Sequence, residues 1–308
     1  MWPFSFKRHH HKTDQYFKPV ILVTGCSSGI GLALARMLYE HTEYRVVVTA
    51  REKSVSKLYE EFKESERFII RTLDVTSEQS RKSLITDINQ LWTGVDVLVN
   101  NAGISYRAVV EHMTTKDEML QMETNYLGPM GLIRLCLPHM RDTGRGKIVN
   151  VSSVAGMLAM PTMSSYSASK FALEGACESL WYEMRPFGVK VCMVQPGFIH
   201  SQSFKNVYHT DQSEPTRNWS GPYKDFYQNM TPFVERMMNM SLTSPEKIAK
   251  IILEVIEKEN VPLWIPATLD AKLFYYIRRA FPRRLLLPFL YWCLPKARTW
   301  GRDFSHKR

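Results

Sequence analysis

The sequence has no hydrophobic run long enough to span a bilayer. An apolar stretch near its C-terminus, Leu285 to Leu294, covers about ten residues, where a spanning helix needs roughly twenty. The segment Met1 to Phe17 carries basic side chains and three adjacent histidines, His9, His10 and His11, but no apolar core of a signal peptide. It reads as a solvated basic arm, with no metal site expected. Cysteine is scarce too: Cys26, Cys136, Cys177, Cys192 and Cys293 are odd in number and scattered, with no C-x-x-C pair and no metal-ligand spacing to histidine. That excludes a disulfide framework and a zinc site, and it points to reduced thiols in a cytoplasmic protein. Internal repeats are absent, and no low-complexity linker interrupts the chain before about residue 200.

Net charge is also missing from most of the chain. The total is +10, but ten Lys and Arg stand against Asp303 alone between Ala271 and Arg308, and four against Asp14 between Met1 and Lys18. The body between them is close to neutral. A nucleic-acid reader carries its charge on the folded module, so none is expected as a partner.

What is present is alternation. Short apolar runs at Val20–Val23, Arg45–Thr49, Phe68–Leu73, Val95–Val99, Lys147–Val151 and Lys190–Val194 are separated by helical periodicities at Leu32–Glu40, Val55–Glu64, Glu78–Trp92 and Met130–Met140. Fully apolar strands between amphipathic helices predict an α/β fold, a doubly wound Rossmann-type parallel sheet covered on both faces. The spacing divides the chain into a basic arm (1–18), a Rossmann-type domain (19–266) and a basic, apolar C-terminal extension (267–308). Within the domain, residues 200–235 lack clear periodicity and are rich in aromatics, which predicts a substrate lid. Ser244-Pro245-Glu246 then opens a helix through about Glu257.

Two constellations carry chemistry. Gly25, Gly29 and Gly31 lie between the first strand and the first helix, where a tight turn brings backbone N–H groups to a pyrophosphate. After the second strand comes Ala50-Arg51-Glu52, with no acid at the ribose-reading position. A guanidinium there matches a 2′-phosphate, so NADP(H) is expected ahead of NAD(H); the other reading has Arg51 solvated and Glu52 on the ribose. Further on, Tyr166 and Lys170 stand four residues apart on one helical face. An ammonium beside a phenol favours phenolate and moves it toward acid/base duty. Ser153 precedes them, just after a predicted strand.

Taken in order, the glycine turn, Leu73-Asp74-Val75, Asn100-Asn101-Ala102-Gly103, Asn125-Tyr126-x-Gly128, Tyr166-x-x-x-Lys170 and Pro196-Gly197 resemble the short-chain dehydrogenase/reductase family, over about Pro19 to Pro266. The steroid and retinol dehydrogenase-like branch looks closest. The resemblance implies that Tyr166 is the acid/base and that Ser153 bonds the substrate oxygen. It makes Lys170 hold the nicotinamide ribose and lower the phenol's pKa, and gives Asn125 a water-linked proton relay. By the same resemblance Ser27, Ser28, Ile30, Asp74, Val75, Asn101, Ala102, Gly103, Pro196, Gly197 and Ile199 line the cofactor. Ser201 replaces the threonine usual in the family and keeps the hydroxyl. A homo-oligomer is also implied.

Met157, Met160 and Met163 follow Ser153, and methionine adapts to irregular apolar ligands. They predict a lipid-, steroid- or retinoid-like carbonyl or alcohol; the other reading makes them core. In the extension, Arg278-Arg279 and Arg283-Arg284 flank aromatic and leucine runs, a pattern suited to peripheral contact of 271–308 with a membrane surface, to capping the pocket or to assembly. A cofactor-binding sensor or scaffold with vestigial catalysis, and a redox-neutral epimerase or dehydratase, are the competing functions.

Overall fold

The computed structural model describes residues 18–200, 207–214 and 221–301. Residues 1–17 of the basic arm with His9–His11, residues 201–206 and 215–220 of the predicted lid with Ser201, and the final residues 302–308 lie outside the described residues.

Seven strands are found among the described residues: β1 (Val20–Val23), β2 (Arg45–Ala50), β3 (Phe68–Thr72), β4 (Val97–Asn100), β5 (Gly146–Val151), β6 (Val189–Gln195) and β7 (Trp264–Pro266). They pair in parallel in the order β3-β2-β1-β4-β5-β6-β7. The order reverses between β1 and β4, which opens a crevice at the carboxyl ends of those two strands. The crossovers are α1 (Gly29–His41), α2 (Glu52–Glu61), α3 (Glu78–Trp92), α4 (Thr115–Met122), α5 (Gly128–Asp142) and α6 (Ser164–Met184). After β6 come α7 (Lys224–Met240), α8 (Pro245–Glu257), α9 (Leu269–Ala280) and α10 (Arg283–Cys293).

Strand β1 shows why the strands read as uninterrupted apolar runs. Ile21 and Val23 enter one core, and Val20 and Leu22 enter another on the opposite face. Successive side chains alternate across a strand, so a sheet covered on both sides needs apolar residues at every position. Helices α1 and α8 close the first face, through Leu34, Leu38, Ile248 and Ile252. Helices α3, α5 and α6 close the second, through Ile88, Leu132 and Leu173. Cys26, Cys136, Cys177 and Cys192 are buried, and burial pushes all four thiols up to about 12. They behave as small apolar side chains.

Lys147 is a charged exception inside this frame. Its Nζ donates to the carbonyls of Val255 (2.7 Å), Ile256 (2.7 Å) and Lys258 (2.6 Å). Those carbonyls end α8, where backbone acceptors have no helical partner and the dipole favours a cation. A lysine on β5 thus closes a helix on the neighbouring layer.

Several elements escaped the sequence reading, α4, α9 and α10 among them, and two others show why. Strand β7 is three residues long and half-buried, too short for a period to show. Part of the aperiodic stretch is a helix: α7 buries Tyr227, Met230 and Val234 at three- and four-residue spacing. Pro232 inside it and the aromatics around it hide that stripe. Its buried face meets Ala297 and Trp300 from the C-terminal end in a third apolar cluster, with Met160, Phe198 and Phe226 against it.

Candidate active site

The crevice holds two cavities that share walls. One, of about 710 Å³, is lined by Gly25, Ser27, Ser28, Gly29, Ile30, Arg51, Asp74, Val75, Asn101, Ala102, Gly103 and Ile199. The other, of about 350 Å³, is lined by Ser153, Tyr166, Lys170, Pro196 and Gly197. Ser28, Ile30, Asn101, Gly103 and Ile199 border both. Gly31 and Asn125 are the two proposed site residues that line neither.

Gly31 acts from behind. A Cβ there would lie 2.3 Å from the Gly25 carbonyl oxygen and 2.5 Å from Asn101 Nδ2, so only glycine lets α1 start this close to the turn. Gly25 itself sits at φ +72°, the left-handed region that side chains avoid. Asn101 locks the turn by donating to the carbonyls of Thr24 (2.9 Å) and Gly25 (3.0 Å). Left-handed glycines with free helix-terminal N–H groups facing a cavity make a fitting cradle for a dinucleotide pyrophosphate.

At the far end of that cavity Arg51 is exposed, with both terminal nitrogens 3.4 Å from the Tyr208 hydroxyl. Ser54 and Lys57 line the same wall. Sequence reasoning passed over these two, although spacing them three apart after Arg51 puts all three on one side of α2. Asp74 is turned to its own loop, its Oδ1 accepting from Thr76 N (2.9 Å) and Thr76 Oγ1 (2.8 Å).

In the second cavity, Tyr166 and Lys170 project from α6. Lys170 Nζ stands 5.9 Å from the Tyr166 ring centroid and donates to the Val151 carbonyl (2.9 Å). Burial holds Lys170 down at about 8, with Glu174 pulling it back up. Burial pushes the Tyr166 phenol up; a hydrogen bond from Ser153 and the charge of Arg107 pull it down. Arg107 is thus a second cation acting on the phenol, one that the sequence reading did not single out. Ser153 opens a short 3₁₀ turn, its Oγ accepting from Ala155 N (3.2 Å).

Asn125 lies on a π-helical turn, Glu123–Leu127, between α4 and α5. Such a turn interrupts regular helix pairing and turns side chains to new partners. Asn125 Oδ1 accepts from Ile104 N (2.9 Å), and its Nδ2 donates to the Ile104 carbonyl (2.9 Å) and Ser169 Oγ (3.0 Å). A Cβ at Gly103 would be 3.3 Å from Asn125 Oδ1 and 3.8 Å from Lys170 Nζ, so these two groups converge just beneath the cavity floor.

Glu174 was also missed. One turn past Lys170 on α6, it accepts from Ser152 Oγ (2.6 Å) and Gln195 Nε2 (2.8 Å); burial raises its pKa against those bonds and the Lys170 charge. The signal was there in the helical spacing Tyr166, Lys170, Glu174. The C-terminal extension reaches the site as well. Thr268 Oγ1 accepts from Gly197 N (2.9 Å), Asp270 Oδ2 accepts from Phe198 N (2.9 Å), and Arg278 donates to the Met157 carbonyl. The start of α9 thus fixes the loop after β6.

A glycine turn at the switch point, joined to a tyrosine, a lysine and a serine at a second cavity, defines a nucleotide-dependent oxidoreductase class. A sequence model of the family described as short chain dehydrogenase matches residues 19–212. The chain belongs to the short-chain dehydrogenase family and is an NAD(P)-dependent oxidoreductase. It is 34% identical over 245 residues to a 3-ketodihydrosphingosine reductase of Bacteroides thetaiotaomicron, covering 79% of this chain and 85% of that protein. It is 32% identical over 270 residues to the uncharacterized oxidoreductase YusZ of Bacillus subtilis, covering 86% and 94%. Among solved structures, a short-chain dehydrogenase from Streptomyces avermitilis superimposes with a TM-score of 0.74 at 30% identity, covering 90% and 98%. A metagenomic short-chain oxidoreductase in complex with NADP does so with a TM-score of 0.60 at 25% identity, covering 80% and 95%.

Proposed function

We propose that this enzyme uses NADP(H) to interconvert a carbonyl and an alcohol on an apolar, lipid-like substrate. The observation that carries the reading is the make-up of the smaller cavity. Ser153, Tyr166 and Lys170 stand at one part of its wall, and Leu158, Met160, Met163, Phe198, Val234 and Met238 supply an apolar remainder. The reductase of Bacteroides thetaiotaomicron, named for a long-chain ketone, supports the same substrate class.

When bound, the nicotinamide supplies or takes up the hydride. Ser153 hydrogen-bonds the substrate oxygen, and Tyr166 gives its hydroxyl proton to that oxygen in reduction or takes it back in oxidation. Lys170 presents its ammonium to the nicotinamide ribose, and Asn125, bonded to Ile104 and Ser169, supports the proton path behind it. Gly25, Ser27, Ser28, Gly29, Ile30 and Gly31 hold the pyrophosphate side. Asp74, Val75, Asn101, Ala102 and Gly103 border the adenosine side, and Pro196, Gly197 and Ile199 border the nicotinamide. Arg51, with Ser54 and Lys57 beside it, receives the 2′-phosphate that distinguishes NADP(H).

The membrane reading belongs to the same proposal. Leu273, Tyr276, Phe281, Leu285, Leu287, Phe289 and Trp292 are all exposed on α9, α10 and the turn between them, next to Arg279, Arg283 and Arg284. No helix among the described residues is long and apolar enough to cross a membrane. A basic, aromatic surface of this kind rests in the headgroup layer, where a lipid substrate is found.

The test is NADPH and NADH consumption with a panel of long-chain ketones, ketosteroids and retinals, set beside small sugars and polyols. At least tenfold higher kcat/KM with NADPH on an apolar ketone is expected. Equal values for the two cofactors would remove the NADP assignment. Turnover confined to sugars or polyols would remove the apolar one.

A further inference from the structure

We propose that Ser105 and Arg107 form a receptor for an anionic group, a carboxylate or a phosphate, that the substrate carries near its reacting carbonyl. The inference rests on reading the smaller cavity as the substrate side. Both residues line that cavity, and neither lines the one formed by the glycine turn and Arg51. Ser105 Oγ, Arg107 Nε and Arg107 Nη1 are buried, and none has a hydrogen-bond partner among the described residues. Buried guanidinium nitrogens left unpaired, Nε and Nη1 here, are among the more expensive arrangements a folded chain can keep. A ligand that pairs with them explains why they are kept.

The segment is held in place on both sides. Tyr208 N donates to the Ser105 carbonyl (2.8 Å), Arg107 N donates to the Tyr208 carbonyl (2.9 Å), and Ala108 N donates to the Thr162 carbonyl (3.0 Å). Tyr106 and Ala108 are buried, and in this extended run Ser105 and Arg107 take the alternate side, toward the cavity. No carboxylate lines that cavity among the described residues, and its other cation, Lys170, is bonded to the Val151 carbonyl. Burial lowers the Arg107 pKa to about 10, so the guanidinium is charged at neutral pH. Its planar fork suits two oxygens of one anion, with the Ser105 hydroxyl donating to the same group. The apolar remainder of the cavity then takes the chain of an amphiphile.

Equilibrium binding to the NADPH-loaded enzyme tests this without turnover. The probes are laurate and dodecyl phosphate against the neutral methyl laurate and dodecanol, with wild type, Arg107→Gln, Arg107→Lys and Ser105→Ala. The expected result is that at least one anion binds about tenfold or more tightly than its neutral counterpart. Arg107→Gln erases that difference, Arg107→Lys keeps part of it, and NADPH affinity is unchanged in all variants. The anion preferred, laurate or dodecyl phosphate, separates a carboxylate from a phosphate source. Equal binding of anions and neutral probes by wild type would overturn the proposal, as would an anion preference that survives in Arg107→Gln. A loss of NADPH affinity in Arg107→Gln would reassign the guanidinium to the cofactor. If Arg107→Gln does not fold, a loss of anion preference in Ser105→Ala supports the receptor and an unchanged preference there overturns it. Failure of every ketone in the turnover panel leaves this measurement standing.

Discussion

The sheet and the C-terminal helix pair treat apolar side chains in opposite ways. On β1, Val20, Ile21, Leu22 and Val23 are no more than 1% exposed. On α10, Leu285, Leu287, Phe289 and Trp292 are 55–59% exposed, while Leu286 is buried at 5%. Fully burying one such side chain contributes about 1.5–3 kcal/mol. In the sheet that gain holds the fold together; on α10 it is not realised among the described residues. Charge divides the same way, with a nearly neutral body and a strongly basic end. The body buries its apolar side chains, while the outer face of the extension leaves them exposed beside arginines. Substitutions in the two regions should therefore fail in different assays.

The largest effect belongs to the body. Tyr166→Phe keeps the ring packed on α6 and removes the hydroxyl proposed to exchange the proton with the substrate oxygen. Steady-state kinetics should show kcat lowered by about 10²–10⁴-fold, with NADPH affinity and thermal melting unchanged. Next is Lys147→Ala, far from both cavities. It strips three α8 carbonyls of a charged donor and should lower unfolding free energy by about 3 kcal/mol, read from urea denaturation. A loss under about 0.5 kcal/mol would mean water replaces the ammonium at those carbonyls.

Lys170 gives a smaller, pH-dependent effect. Its folded pKa of about 8 lies below the ordinary 10.5. The unfolded chain therefore holds the extra proton between those values, and stability contributed by this group rises with pH across that window. Below about pH 8 the penalty for burying the ammonium is fully present. Wild type should gain on the order of 1–3 kcal/mol between about pH 7 and pH 10 relative to Lys170→Met, in matched denaturation curves.

Much of the body could be read before it was seen, because its signals are local. Six apolar runs and the periods of α1, α2, α3 and α5 followed from the pattern alone, and the start of α8 from Ser244-Pro245, while the short α4 went unread. The glycine turn was legible because a left-handed Gly25 and a crowded Gly31 leave a residue-type signature. What escaped depends on groups far apart in sequence. Lys147 meets α8 more than a hundred residues later, and nothing near Lys147 in the chain announces that. The stripe of α7 was masked by Pro232 and its aromatic neighbours. Arg107 went unread, since the run that carries it is held by backbone bonds to Tyr208 and Thr162, both distant in the chain. Long-range burial of a polar group has no period to detect.

The smallest predicted effect tests the extension alone. Arg284 is exposed at the start of α10, beside the exposed Leu285 and Leu287, and it touches neither cavity. A cation near an anionic bilayer surface contributes about 1 kcal/mol, so Arg284→Gln should weaken co-sedimentation with phosphatidylserine-containing vesicles by about fivefold. Turnover of a water-soluble ketone should not change, because Thr268, Asp270 and Arg278 still hold the loops beside the site. Unaltered vesicle binding would place the lipid contact elsewhere. Equal loss of soluble turnover would instead make α10 part of the catalytic body, and the division between the two regions would fall.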